Sequence, residues 1–210
     1  MGLDSHILVI RRKILFNGNY GLFHGFLPHK KEDYESRILV ASNSEYRLRR
    51  SVEEDPLWKQ PIPYMLILNP ELKRVFAYQR SKEDPFYAEK RLQGKWSMGI
   101  GGHIERADIK MKNPLREGMF RELKEEVIIN GRISEPKVLG YINDDSDNVG
   151  KVHFGILYLI ETDATEIKPR DREIVNGRLR TVKELEKICS SDNVETWSKI
   201  ALNPLKEIIS

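Results

Sequence analysis

The chain has 210 residues, 40% hydrophobic and 32% charged, with Lys+Arg 35 against Asp+Glu 32 and a formal net charge of +3. That balance excludes a strongly basic nucleic-acid binder, and the longest apolar runs, residues 64–68 and 154–160, are far too short to span a bilayer. The single cysteine, Cys189, excludes an internal disulfide, and its neighbours Leu185 and Ile188 place it among small core residues. Arg11, Arg12 and Lys13 interrupt the only apolar stretch near the N-terminus, so no signal peptide is expected and the cytoplasm is the expected compartment.

Taken in chain order, residues 6–16 alternate short apolar runs around the basic triplet and read as one or two strands. Residues 31–40 carry a helical pattern through Tyr34, Ile38 and Leu39, and the charged stretch 47–60, with Pro56, reads as an irregular connection. Residues 1–58 are expected to form an N-terminal extension, too poor in apolar residues for a core of its own, and 59–210 the main domain. There, 64–68 and Arg74–Arg80 flank the turn Asn69-Pro70-Glu71-Leu72 and predict a hairpin. A polar loop over 81–94 leads to a short strand, 96–100, that enters Gly101-Gly102. Asn113 as N-cap and Pro114 at the first helical position predict a helix over 114–128. Strands follow at 137–142 and 152–160, separated by the acidic loop 143–148. Thr181, with Glu184 three residues on, predicts a capping box for a helix over Val182–Cys189, and 195–209 reads as a terminal helix. A mixed sheet between helices is an α/β sandwich.

The segment Arg121-Glu122-Leu123-Lys124-Glu125-Glu126 carries the chemistry. On a helix, Glu122, Glu125 and Glu126 share one face, while Phe120, Leu123 and Val127 form an apolar stripe on the other. Like charges at this spacing cost roughly 0.2–0.5 kcal/mol per pair, so a cation should offset them. Oxygen clusters of this kind suit the hard dications Mg²⁺ or Mn²⁺.

With Gly101-Gly102 some twenty residues upstream, this segment resembles the signature of the Nudix (MutT-like) hydrolases: a glycine, then a carboxylate, then Arg-Glu-apolar-any-Glu-Glu on a helix. The chain departs from that signature in three places. Asp108 stands where the family has Glu, twelve residues rather than seven separate it from Arg121, and Ile128 replaces the glycine after the helix. The resemblance implies an α/β/α sandwich with a mixed sheet. It also implies metal-dependent hydrolysis of the pyrophosphate bond in a nucleoside diphosphate linked to another moiety. The departures motivate the alternative of a non-hydrolytic nucleotide-binding or regulatory module on the same scaffold.

Carried over by position, Glu122, Glu125 and Glu126 are the expected metal ligands, the Gly102 carbonyl a further ligand, and Arg121 the residue that orients the carboxylates. Glu173 is the first candidate for general base and Glu166 the second. Trp96 is the candidate for stacking on a base, and Arg80 and Arg91 for meeting phosphates. The expected partner is a small nucleotide or other pyrophosphate compound, with a homodimer as the expected assembly. Because Asp108 is a methylene shorter than Glu and the loop is longer, Glu117, one turn before Arg121, is expected to hold that arginine, and Asp108 to matter little. His103 has no second His or Cys at ligand spacing in sequence, so no zinc site is expected, and His153 is expected to be a core or cleft residue.

Overall fold

The computed structural model describes residues 2–82, 92–110 and 113–209. In chain order its elements are β1 (His6–Arg11), α1 (Arg12–Leu15), β2 (Gly25–Pro28), α2 (Tyr34–Leu39), β3 (Ser44–Leu48), β4 (Trp58–Asn69), β5 (Arg74–Arg80) and β6 (Trp96–Ser97). They continue with α3 (Pro114–Glu126), β7 (Val127–Ile129), β8 (Lys137–Asn143), α4 (Asn148–Val152), β9 (His153–Glu161), β10 (Ile167–Pro169), β11 (Ile174–Thr181), α5 (Val182–Cys189) and α6 (Thr196–Ile209). Strands and helices mix in the α/β manner expected. The described residues group into two compact units, and β4, α3 and β9 each run from one into the other.

The first unit comprises the residues through Tyr64, Gly101–Arg121 and Val138–Leu157. Here β1 pairs antiparallel with β3 and with the start of β4, and β2 pairs with β8. The N-terminal segment is therefore built into the same unit as the Gly101-Gly102 loop. The Leu8 amide donates to the Ile104 carbonyl at 2.8 Å, and Ile7 forms an antiparallel bridge with Glu105. Two apolar groups hold the unit. Ile7, Val9, Val52 and Trp58 form one. Tyr34, Tyr141 and Phe154 centre the other, with ring centroids 5.0–5.8 Å apart. Gly101 sits where only glycine fits, since a Cβ there would lie 2.1 Å from the Pro63 carbonyl oxygen.

The second unit comprises Met65–Ile100, Glu122–Lys137 and the residues from Tyr158 onward. β5 is flanked by β11 and the end of β4, with β6 also paired to it, and the Thr162 amide donates to the Leu68 carbonyl at 2.8 Å. The hairpin of β4 and β5 forms as expected. α5 starts at the expected capping box: the Thr181 hydroxyl accepts from the Glu184 amide, and Glu184 accepts from the Thr181 amide at 2.9 Å. Its inner face buries Leu185 and Cys189, and burial pushes the Cys189 thiol up to about 11, so it packs rather than reacts. Thr181→Ala should cost about 1 kcal/mol, which lowers Tm by about 3 °C in scanning calorimetry. An unchanged Tm would mean that packing alone sets this helix.

Three elements depart from the sequence reading. Residues 6–16 are one strand and one helical turn. The acidic loop closes into α4, whose N-cap Asp147 accepts from the Gly150 amide at 2.8 Å. α3 stops at Glu126 instead of 128, because the β-branched Val127, Ile128 and Ile129 are taken up by an antiparallel ladder with β10. Among the described residues, no helix is long and apolar enough to cross a membrane.

Candidate active site and a buried histidine pair

In the first unit, α3 begins as the sequence indicates, with the Asn113 side chain accepting from the Arg116 amide at 3.0 Å. Arg121 is gripped two residues past Met119 by Asp108. Its Nε donates to Asp108 Oδ1 and its Nη2 to Oδ2, each at 3.1 Å. The same Nη2 donates to the His103 carbonyl at 2.8 Å, and Asp108 Oδ2 accepts from the Glu105 amide at 2.8 Å. The two-pronged geometry is the strong form of an arginine–carboxylate contact. The expectation that Glu117 holds Arg121 is therefore corrected: buried Asp108 does. The added loop residues include a 3₁₀ turn, Arg106–Lys110, that carries Asp108 back to the helix. Gly118 makes the approach possible, since a Cβ there would lie 2.9 Å from Asp108 Oδ2 and 2.5 Å from Ile104 Cδ1. That explains a glycine inside a helix, where it costs about 1 kcal/mol relative to alanine. Gly102 follows on the same loop, half-buried.

In the second unit, the expected apolar face is realised by buried Leu123 and Val127. Glu122 is buried, Glu126 half-buried and Glu125 exposed. Desolvation pushes the Glu126 carboxyl well above the ordinary carboxylate range. The charge of Glu122 adds to this, Asp171 and Glu173 add more, and Arg80 opposes it. The fold thus brings Glu173 and Arg80, distant in sequence, into the electrostatic neighbourhood of Glu126. Arg80 also pairs with buried Glu195 at 3.2 Å, a carboxylate the sequence reading did not single out. Trp96 is half-buried with the Arg180 guanidinium 4.6 Å over its ring. Glu166 is exposed and pairs with Lys168 at 3.2 Å. Arg91 lies outside the described residues.

The first unit also holds a polar cluster that no local motif announces. His103 Nε2 lies 3.1 Å from His153 Nε2 and 2.7 Å from Gln60 Oε1, all buried. Glu53 brings a carboxylate to the pair, with one ligand atom of each residue within 4.8 Å of the others. Burial, then the charges of Arg49, His153 and Arg121, hold the His103 imidazole well below its ordinary pKa, so it is neutral at pH 7. His153 is a buried residue as expected. What sequence spacing does not reveal is that it meets His103 across fifty positions. The one signal available is that each histidine lies in an apolar run, beside Ile104 and beside Val152 and Phe154.

No family model matches the chain. Protein YmaB of Bacillus subtilis (strain 168) is 33% identical over 210 residues, covering 97% of this chain and 98% of that protein. Among solved structures, that of Tm1382, a candidate Nudix hydrolase, is 27% identical with a TM-score of 0.78, covering 97% of this chain and 100% of the other. The Nudix domain of Shewanella oneidensis NrtR, solved with ADP ribose, is similar over 72% of this chain and 89% of its own, with 13% identity and a TM-score of 0.54, a likeness of fold alone.

Proposed function

The chain belongs to the Nudix family, and from that membership we propose that it is a metal-dependent hydrolase that cleaves a pyrophosphate bond in a nucleoside diphosphate joined to a second moiety. The observation that carries this reading is the Glu122–Glu126 pair. Two carboxylates one helical turn apart, Glu122 buried and Glu126 half-buried, with burial first and the charge of Glu122 next favouring the Glu126 acid form, make a donor set of hard oxygens that a dication relieves. The set fits Mg²⁺ or Mn²⁺, with Glu122, Glu125 and Glu126 as ligands. Such an ion, when bound, neutralises charge on the pyrophosphate and lowers the pKa of water.

The chain's own residues supply the rest. Arg121 acts through position: held by Asp108, it sets the orientation of the helix turn from which the glutamates project. Glu173, which joins the acidic surroundings of Glu126, is our candidate for the base that takes the proton from the attacking water. Arg80 and Arg91 are assigned to substrate phosphates and Trp96 to the base. Residues 59–210 are read as the hydrolase portion, with 1–58 an extension whose β1 braces the glycine loop.

The test is hydrolysis of a panel of nucleotide sugars, dinucleoside polyphosphates, nucleoside triphosphates and dinucleotide cofactors with Mg²⁺ or Mn²⁺, read by chromatography as the pair of phosphorylated products that cleavage of a P–O–P bond leaves. Turnover of one class supports the hydrolase. No turnover of any leaves the binding module as the better account. Glu126→Gln keeps the volume and removes the charge. It should weaken Mn²⁺ binding at least about tenfold, or ~1.4 kcal/mol, in calorimetry. Without metal the variant should be more heat-stable than the parent, because the cost of burying that carboxylate is gone, and with it the repulsion from Glu122. Equal Mn²⁺ affinity would sink the ligand assignment.

A further inference from the structure

We propose that Glu53, Gln60, His103 and His153 form a binding site for a single Zn²⁺-type ion, made of none of the α3 carboxylates. The two imidazole Nε2 atoms stand 3.1 Å apart. Ligand nitrogens on a tetrahedral zinc, with bonds of roughly 2.0–2.1 Å, stand about 3.3 Å apart, so the pair needs to open only slightly. The third donor is the Glu53 carboxylate. The fourth is Gln60 Oε1, aimed at His103 because the Gln60 amide nitrogen donates to the Val52 carbonyl at 3.3 Å.

The supporting bonds are those of a ligating histidine. His153 Nδ1 donates to the Val149 carbonyl at 2.7 Å, which turns Nε2 toward His103. Without metal, His103 Nε2 carries the proton, because Gln60 Oε1 can only accept. An entering ion takes the Nε2 lone pair, and that proton moves to Nδ1 or to solvent. Glu53 also pairs with buried Arg49, Nε to Oε2 at 2.9 Å. Arg49 Nη2 also donates to Glu53 Oε1 at 3.4 Å, so the guanidinium engages both oxygens and an entering ion shares the carboxylate with it, within its about four lone-pair sites. Two imidazoles and a carboxylate select a borderline dication over Mg²⁺, which prefers octahedral oxygen. With four protein donors the shell is closed, the mark of a structural or regulatory ion rather than a catalytic one. The His103 carbonyl accepts from Arg121, so an ion on this ring stiffens the loop that carries Gly101 and Gly102.

The wild-type chain titrated with ZnCl₂ and followed by imidazole ¹⁵N NMR tests the site. The Nε2 signals of His103 and His153 should shift and saturate at one equivalent, while His6, His24 and His29 do not. No change at His103 and His153 by one equivalent overturns the proposal. In competition with a chromophoric chelator, His153→Asn and Glu53→Gln should each lower Zn²⁺ affinity at least about tenfold, while Glu126→Gln and excess Mg²⁺ leave it unaltered. Loss of Zn²⁺ binding in Glu126→Gln with retention in Glu53→Gln also overturns it. If His153→Asn does not fold, the wild-type spectra and Glu53→Gln decide.

Discussion

Asp108→Ala is expected to destabilise the protein by about 3 kcal/mol, lowering Tm by about 8 °C for a chain of this size, whereas Glu117→Ala should leave Tm unchanged. Asp108 is buried and supplies both oxygens of the Arg121 clamp as well as the acceptor for the Glu105 amide. Removing it takes two bonds from the half-buried Arg121 guanidinium, which keeps the His103 carbonyl, and takes the side-chain acceptor from the Glu105 amide; lost bonds of buried groups are what make single substitutions costly. Asp108→Asn keeps the volume against Gly118 and one acceptor, and should lose about half as much. If the chain is the hydrolase proposed, Asp108→Ala also lowers turnover by about a hundredfold, ~2.7 kcal/mol of transition-state stabilisation, with Glu117→Ala near wild type. Thermal melts and initial rates of the three variants check this. Equal effects of Asp108→Ala and Glu117→Ala would mean that the clamp is dispensable. The stability readout stands whether or not the activity assignment does.

Asp145→Ala should cost a similar amount, about 3 kcal/mol at pH 7. Lys59 is fully buried, and its ammonium donates to Asp145 Oδ1 at 2.9 Å, to the Gly150 carbonyl at 2.7 Å and to the His153 carbonyl at 3.0 Å. Asp145 also pairs with Arg12. Burial depresses the Lys59 pKa to about 8, against the pull of Asp145, while Arg12 and Lys59 hold Asp145 down at about 2 despite burial. The two shifts have opposite consequences. Asp145 stabilises the fold above its unfolded pKa of 3.8 and loses that contribution as pH falls toward 2. Lys59, with a folded pKa below the unfolded 10.5, imposes a penalty below pH 8 that is relieved as pH rises through that window. In Asp145→Ala the acid-side loss between pH 4 and 2 should shrink, and the recovery with rising pH should begin below pH 8, because the partner that favoured the ammonium is gone. Urea unfolding across pH measures both. A variant as stable as the parent at pH 7 would show that the two carbonyls alone satisfy Lys59.

What could be read from residues alone follows the reach of local interactions. The Thr181–Glu184 capping box, the Asn113 cap before Pro114, the hairpin of β4 and β5 and the shared face of Glu122, Glu125 and Glu126 all depend on residues three or four apart or on strict alternation, so they are written in the order of the chain. Of these, the glutamate face together with Gly101-Gly102 carried the resemblance to the family. Features set by chain closure were not legible. Whether Asp108 or Glu117 holds Arg121 depends on how an insertion folds, and that is decided by Gly118, whose missing side chain admits Asp108. The end of α3 at Glu126 was decided by an edge that β10 offers to Val127–Ile129. His103 and His153 are ordinary buried histidines when each is viewed in its own strand or loop. Only the tertiary fold sets their Nε2 atoms 3.1 Å apart and brings Gln60 and Glu53 to them, because contacts across forty to a hundred residues come from burying the whole apolar core at once, not from any local preference.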